Sequence, residues 1–410
     1  MGMKLLCRRM GAAVFVFCRG GVVLRFIHTA DWHLGRLFHG RHLTDDQAFL
    51  LLGDFLRIVK ESKAEAVVIA GDIYDRAVPP TDAVDLFDEV LARLLLDYRI
   101  PVLFIAGNHD SGKRLGFGSR LMARQGLFVR GELEDKLSPV VLEDAFGPVY
   151  FELFPYMEPA LVRAVFGAPA AELMDFDAAT GYVLEQGAGH IPAGARSVAV
   201  SHAFIAGGQV TDSERPLSVG GSSNVRAAYY RPFNYTALGH LHNAQRAGAD
   251  NIRYSGSLMK YSFDEAAQKK SLAIVDLDAE GAVTTELVPL VPRYDVCCVR
   301  GLFDDILQDR ERYPASDDYM MVELEDTSAI LDAHGRLEKI YPNLMQIERL
   351  NLNRGGTLLE HGSSYRSQSE QQLFEGFFCE MTGESMTDEE KQVFADNAAA
   401  IFRAQREAEL

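Results

Sequence analysis

Five short stretches of this 410-residue chain carry side chains that hold metals or move protons. They are Asp31-x-His33, Gly71-Asp72-x-x-Asp75, Gly107-Asn108-His109-Asp110, His202 and Gly239-His240-x-His242. Asp-x-His and His-x-His put two ligand groups on one side of an extended segment, because side chains two apart share a face. Carboxylate, imidazole and amide oxygen without thiolate suit Mn²⁺ best, with Fe, Zn or Mg²⁺ as alternatives. Asp31, His33, Asp72, Asn108, His202, His240 and His242 are too many ligands for one tetrahedral ion. Two ions bridged by one carboxylate account for them. Such a pair clamps a phosphoryl group and turns water into a nucleophile for in-line attack, which is phosphoester hydrolysis. A lone histidine on a strand is more often structural, but here five motifs recur in one context.

That context is an apolar run directly before each motif. Leu24–Thr29, Ala66–Ala70, Pro101–Ala106, Val198–Ser201 and Tyr235–Gly239 are short and β-rich. The second and third lack alternation, as strands buried on both faces do. Thr44 to Lys63 predicts an amphipathic helix with Phe49, Leu52, Leu56 and Val59 as its apolar stripe. Asp82 to Asp97 predicts another, with Val84, Phe87, Val90, Leu91 and Leu94 inward. Strand–helix–strand–helix–strand order is α/β architecture, with ligands at the strands' carboxyl ends. Pro139–Glu143 and Val149–Phe154 read as further strands, and Ala160 to Arg196 as helices and loops. Ile252–Ser257 and Ser271–Asp276 are expected to continue the second sheet. His28, His39, His42 and His190 read as ordinary structural or surface histidines.

Composition bounds the rest. Hydrophobic content of 48% and charged content of 24% are those of a globular protein. The net charge of −17 argues against a basic nucleic-acid-binding surface, but not against an enzyme whose positive charge comes from metal or a partner. The five cysteines show no metal spacing and read as free thiols in a reducing cytosol. Residues 1–22 pair basic residues with the run Ala12–Phe17, which is too short to span a bilayer and is interrupted by Arg19. They read as a disordered extension rather than an export signal. After Pro292 a β-α-β-α-β module runs to residue 350 without catalytic motifs, and polar residues 351–372 read as a linker. Residues 373–410 predict two amphipathic helices. One has the stripe Leu373, Phe374, Phe377, Phe378 and Met381; the other opens with the capping box Thr387-x-x-Glu390 and carries Val393, Phe394, Ala398, Ile401 and Phe402.

The five motifs, in order, resemble the signature of calcineurin-like metallophosphoesterases. The wider text His28–Gly35, Asp212–Gly221 and Tyr254–Ser257 is similar, more narrowly, to the SbcD family, the nuclease subunits of bacterial SbcCD complexes. The likeness covers about residues 23 to 350 and extends to the tail; Leu258 stands where that family leads us to expect proline. It implies a sandwich of two mixed sheets flanked by helices, with a small α/β cap domain and C-terminal helices. The nuclease domain would be residues 23–291, the cap 292–350 and the partner-docking tail 373–410.

The resemblance also assigns roles. One ion would take Asp31, His33 and His242, the other Asn108, His202 and His240, with Asp72 as the bridge. His109 would protonate the leaving oxygen without binding metal. Asp75 would orient His109 or, alternatively, cap a helix. Arg76 would hold phosphate or lie in solvent, and Asp110 would support its loop. The implied activity is double-strand exonuclease and single-strand or hairpin endonuclease in DNA repair and recombination. The implied partners are DNA and an SbcC-like SMC-type ATPase, with two copies of each chain in a cytoplasmic heterotetramer and no membrane. Two rivals remain: a phosphatase or nucleotidase for small phosphoesters, and an inactive scaffold. No ligand position is substituted, which disfavours the scaffold.

Overall fold

Strands without apolar/polar alternation need cover on both faces, and here each sheet is covered by the other sheet and by helices. The computed structural model describes residues 9–10, 13–17, 23–167, 172–214, 224–328, 330–350, 374–375, 378 and 385–394. The chain forms two compact units, Met1–Val296 and Cys297–Leu410. The first contains β1 (Arg9–Met10), β2 (Ala13–Phe17), β3 (Leu24–Thr29), β4 (Leu37–Phe38), β5 (Arg41–His42), β6 (Ala66–Ile69), β7 (Val102–Ile105) and β8 (Leu127–Arg130). Then come β9 (Val140–Asp144), β10 (Gly147–Phe154), β11 (Arg196–His202), β12 (Tyr235–Gly239), β13 (Gln245–Arg246), β14 (Ile252–Tyr254), β15 (Ser271–Leu277) and β16 (Val283–Pro289).

One sheet has the order β16-β15-β3-β6-β7-β8, the other β1-β2-β9-β10-β11-β12-β14-β13, and β4 and β5 make a small hairpin. β3, β6, β7 and β8 run parallel, as do β10, β11, β12 and β14. The antiparallel pairings of β15 with β3 and of β9 with β10 make both sheets mixed. Phe26, Val68 and Leu103 of one sheet share a buried core with Phe151, Val200 and Tyr235 of the other. Phe26 packs edge-on against Phe151 with centroids 5.5 Å apart. Helices Pro159–Phe166 and Phe176–Ala188 cover the outer face of the second sheet through Val162, Val183 and Leu184. On the other side Phe55 meets Trp32, and Phe87 meets Phe104.

Four expectations are corrected. The helical run Thr44–Glu61 contains a π-helical stretch at Leu50–Phe55. A π turn winds in an extra residue and rotates the apolar face. Phe49 and Leu52 are therefore 54% and 41% exposed, while Leu50, Leu51, Phe55 and Val59 are buried. Helix Thr81–Ala92 likewise leaves Val84 43% exposed and buries Ala83 and Leu86 beside the expected Phe87 and Val90. β15 joins the first sheet, not the second, where Asp276 lies opposite Arg25 and pairs with it at 2.7 Å. Ala13–Phe17, expected to be disordered, runs parallel to β9 and covers an edge that would otherwise leave backbone groups unpaired.

In the second unit β17 (Val296–Gly301), β18 (Tyr319–Leu324) and β19 (Leu344–Arg349) form a sheet in that order. Helices Phe303–Gln308 and Ala333–Leu337 lie between them in sequence, and Phe303, Ile306, Val322, Leu324 and Leu337 make the core. The Thr387 capping box is formed: the Thr387 N–H donates to Glu390 Oε2 at 2.8 Å and the Glu390 N–H to Thr387 Oγ1 at 3.3 Å. Phe374 stacks on Phe394 at 4.1 Å. The linker 351–372 and the stripe residues Leu373, Phe377, Met381, Ala398, Ile401 and Phe402 lie outside the described residues. Among the described residues no helix is long and apolar enough to cross a membrane.

Candidate metal centre

The segments that leave β3, β6, β7, β11 and β12 lie at the carboxyl ends of the parallel strands of both sheets, and the motifs sit there, with His202 the last residue of β11. Their backbone is tightly constrained. Asp31, His33, Asp72 and His240 have φ of 53°, 45°, 50° and 108°, a left-handed region that side chains occupy only when the surroundings impose it. The Asp31 N–H donates to the Gly71 carbonyl and the His33 N–H to the Asp72 carbonyl, both at 3.0 Å. The Gln47 amide donates to the carbonyls of Trp32 and His33. Two glycines admit the close approach: a Cβ on Gly71 would lie 2.5 Å from His202 Nδ1, and one on Gly107 would lie 2.1 Å from Asp72 Oδ1.

All seven expected ligands converge; Asn108 is half-buried and the rest are buried. Asp31, His33 and His242 have ligand atoms within 4.8 Å of one another, as do Asp31, Asp72 and His202. His33 Nε2 faces His242 Nε2 at 3.0 Å. Asn108 Oδ1 lies 2.8 Å from His202 Nε2 and 3.3 Å from His240 Nδ1. Asp72 Oδ2 is 3.8 Å from His33 Nε2 and 3.5 Å from His202 Nε2, so it reaches toward both groups. His202 Nδ1–H donates to the Ala70 carbonyl at 2.9 Å, which turns its Nε2 toward the cluster. An outer hydrogen bond of this kind orients metal-binding histidines.

The electrostatics fit cations. Burial raises the Asp31 carboxyl well above its usual range, and Asp72 and Glu214 add to it against the opposing pull of His202. Burial also opposes ionisation of Asp72, but His202, His109 and His33 outweigh it and hold the carboxyl well below its usual range. Burial depresses His240 to about 3, while Asp72 overcomes burial and lifts His202 to about 9. Buried carboxylates of opposite shift beside imidazole lone pairs form a site that divalent cations would neutralise.

His109 adjoins this set, with a ring nitrogen within 4.8 Å of ligand atoms of His33 and Asp72. Its N–H donates to Asp72 Oδ1 at 2.9 Å, and its Nδ1–H donates to the main-chain carbonyl of Asp75 at 2.8 Å. Asp75 thus orients His109 through its backbone, while its carboxylate takes Arg36 Nη1 at 3.0 Å. The helix-capping alternative for Asp75 fails because the next helix begins at Thr81. Asp110 supports its loop, accepting the N–H groups of Ile73, Tyr74 and Gly107. Arg76 is exposed, and His28 is structural, bonded to Tyr235 and Leu238.

Ser213, Glu214, Glu265, Lys270, Gln47 and Arg36 also act on this centre, and sequence reading gave them no role. The His242 N–H donates to Glu214 Oε1 at 2.6 Å. Arg36 Nη2 donates to the Ser213 carbonyl, and its guanidinium lies over the Tyr261 ring. Ser213 and Glu214 lie in Asp212–Gly221, a stretch long enough to mark a family but without a ligand spacing. Residues 215–221 of it lie outside the described residues.

The calcineurin-like phosphoesterase family model matches residues 24–156. A second family model, the Type 5 capsule protein repressor C-terminal domain, matches residues 292–382. The chain is 30% identical over 369 residues to a Staphylococcus epidermidis protein whose name makes it the D subunit of the SbcCD nuclease, covering 89% of this chain and 95% of that one. Among solved structures, TT1561 of Thermus thermophilus is similar at a TM-score of 0.35 and 12% identity, over 65% of this chain and 99% of that one.

Proposed function

The chain belongs to the SbcD family of metal-dependent nuclease subunits, with the calcineurin-like phosphoesterase fold, and on that premise we propose that it hydrolyses DNA phosphodiesters with two divalent ions. The observation that carries this reading is the Asp72 carboxylate, within 3.8 Å of His33 Nε2 and 3.5 Å of His202 Nε2. Asp31, His33 and His242 would hold one ion, Asn108, His202 and His240 the other, and Asp72 both. Bound there, two divalent ions would offset phosphate charge and lower the pKa of water. Mn²⁺ suits these donors best, with Mg²⁺ as the alternative.

His109 would supply the leaving-group proton. Its Nδ1–H is committed to the Asp75 carbonyl, so Nε2 is the nitrogen free to exchange a proton with the leaving oxygen. Burial of the ring keeps bulk water away from that atom. Asp110 keeps the turn that carries Asn108 and His109 in register with the Asp72 loop through its three backbone hydrogen bonds.

The activities would be double-strand exonuclease and single-strand or hairpin endonuclease, serving DNA repair and recombination in the cytoplasm. A chain of net charge −17 grips DNA poorly alone, because such binding draws on cationic contacts to phosphates. An SbcC-like SMC-type ATPase would supply that grip, in a heterotetramer with two copies of each chain. Residues 373–410 would dock on the base of its coiled coil, and the 292–350 module would act as a cap that selects DNA geometry. Cleavage of linear, hairpin and circular DNA, with and without the ATPase, tests the reading. Hairpin opening and degradation from duplex ends support it; hydrolysis of mononucleotides alone, whatever the partner, would contradict it.

A further inference from the structure

Beside the candidate ligand cluster lies a group of buried side chains outside the ligand motifs. Glu265 is fully buried, and Ser213 and Lys270 are nearly so. His242 Nδ1–H donates to Ser213 Oγ at 2.5 Å, and the Ser213 hydroxyl donates to Glu265 Oε1. Lys270 Nζ donates to Glu265 Oε2 at 2.5 Å, to the His242 carbonyl at 2.8 Å and to Gln268 Oε1 at 2.7 Å. The chain of bonds closes a ring: from the His242 ring through Ser213 and Glu265 to Lys270, and back to the His242 main chain.

A buried ion pair is weak support for stability, since desolvating two charges offsets much of their attraction. What this one does is specify a geometry. Neutral imidazole carries its proton on either nitrogen, and a fixed acceptor at Nδ1 keeps the lone pair on Nε2. In His242 that lone pair faces His33 Nε2 at 3.0 Å, inside the Asp31–His33–His242 group. Lys270 uses three donors here, and its bond to Glu265 Oε2 holds that carboxylate in place. The two acceptors come from loops far apart in sequence, so they must both be docked for the ring to form.

We infer that Glu265 is a positioning residue for the ion held by Asp31, His33 and His242: acting mainly through Ser213, with its own Oε1 a longer 3.4 Å from His242 Nδ1, it fixes the tautomer and aim of His242. The inference rests on the two-ion reading above and adds a residue that the ligand motifs do not contain. Ser213 is the link and Lys270 the anchor. In the second group, Asn108, His202 and His240, His202 is held without them, its Nδ1–H donating to the Ala70 carbonyl.

The test is an Mn²⁺ titration of the metal-free full chain followed by electron paramagnetic resonance, without DNA. Wild type, Glu265→Gln, Ser213→Ala and Ser213→Thr are compared. In Glu265→Gln and Ser213→Ala one of two sites should weaken by about tenfold or more, as loss of an outer hydrogen bond to a ligand does, with the other within about twofold. The double variant should be little worse than Glu265→Gln, since both act along one path. Ser213→Thr keeps the hydroxyl and should restore the weakened site. Ser213→Ala leaves the Glu265–Lys270 pair intact, so it reports even if Glu265→Gln folds poorly. Two unchanged sites in folded Ser213→Ala, or equal weakening of both, overturns this inference alone. A wild-type chain that takes up fewer than two Mn²⁺ overturns the two-ion reading and this inference with it.

Discussion

His109 is held by the main chain of Asp75 rather than by its carboxylate: Nδ1–H donates to the Asp75 carbonyl at 2.8 Å while Asp75 Oδ1 binds Arg36. A side-chain substitution at 75 leaves that carbonyl in place. Asp75→Ala should therefore lower cleavage far less than His109→Ala, which should cost on the order of 10²–10⁴-fold, the usual range for a lost proton-transfer group. His109→Ala should still bind both ions. Rates and metal content of the two purified variants check this, and equal losses would return a catalytic role to the Asp75 carboxylate.

The close approach at Gly107 gives a second prediction. A Cβ there would lie 2.1 Å from Asp72 Oδ1, the oxygen that also accepts the His109 N–H. Gly107→Ala should push Asp72 out of position and lower metal content and cleavage together. Normal metal content in a folded Gly107→Ala chain would mean that the Asp72 loop yields without cost.

Glu152 predicts a pH dependence of stability. Both its carboxylate oxygens are buried without a hydrogen-bond partner among the described residues, and burial raises its pKa to about 8. The folded state then binds more protons than the unfolded state between the usual glutamate range and about pH 8, so stability falls as pH rises through that window. Glu152→Gln removes the titration. Its gain in melting temperature over wild type should be larger at pH 9 than at pH 6, by roughly 3–5 °C. An equal gain at both values would contradict the assignment.

Removing residues 373–410 should leave metal binding and hydrolysis of a small phosphodiester unchanged, and should abolish co-purification with the ATPase and ATP-stimulated cleavage. A truncated chain that still binds the ATPase would make the tail a self-packing element, as the stacking of Phe374 on Phe394 would then suggest.

The convergence of the seven candidate side chains was legible in the sequence because each follows a strongly apolar strand, and strand ends are where open α/β sheets present groups. The parallel strands were legible for the same reason. The face of the first helix was not, since the π-helical stretch at Leu50–Phe55 shifts its phase and no residue type announces it. The partner sheet of β15 was hidden too; Arg25 opposite Asp276 becomes a signal only once the register is known. Glu265 and Lys270 escaped notice because one meets His242 through Ser213 and the other through the His242 main-chain carbonyl, across sequence separations that no local pattern records.

The most direct measurement follows DNA cleavage and Mn²⁺ uptake together on the same metal-free chain, for wild type and Asp72→Asn. The account predicts that cleavage of linear and hairpin DNA rises as a second Mn²⁺ is bound, and that Asp72→Asn loses uptake at both sites along with cleavage. Full cleavage at one Mn²⁺ per chain, or an Asp72→Asn chain that binds two and cleaves normally, would contradict it.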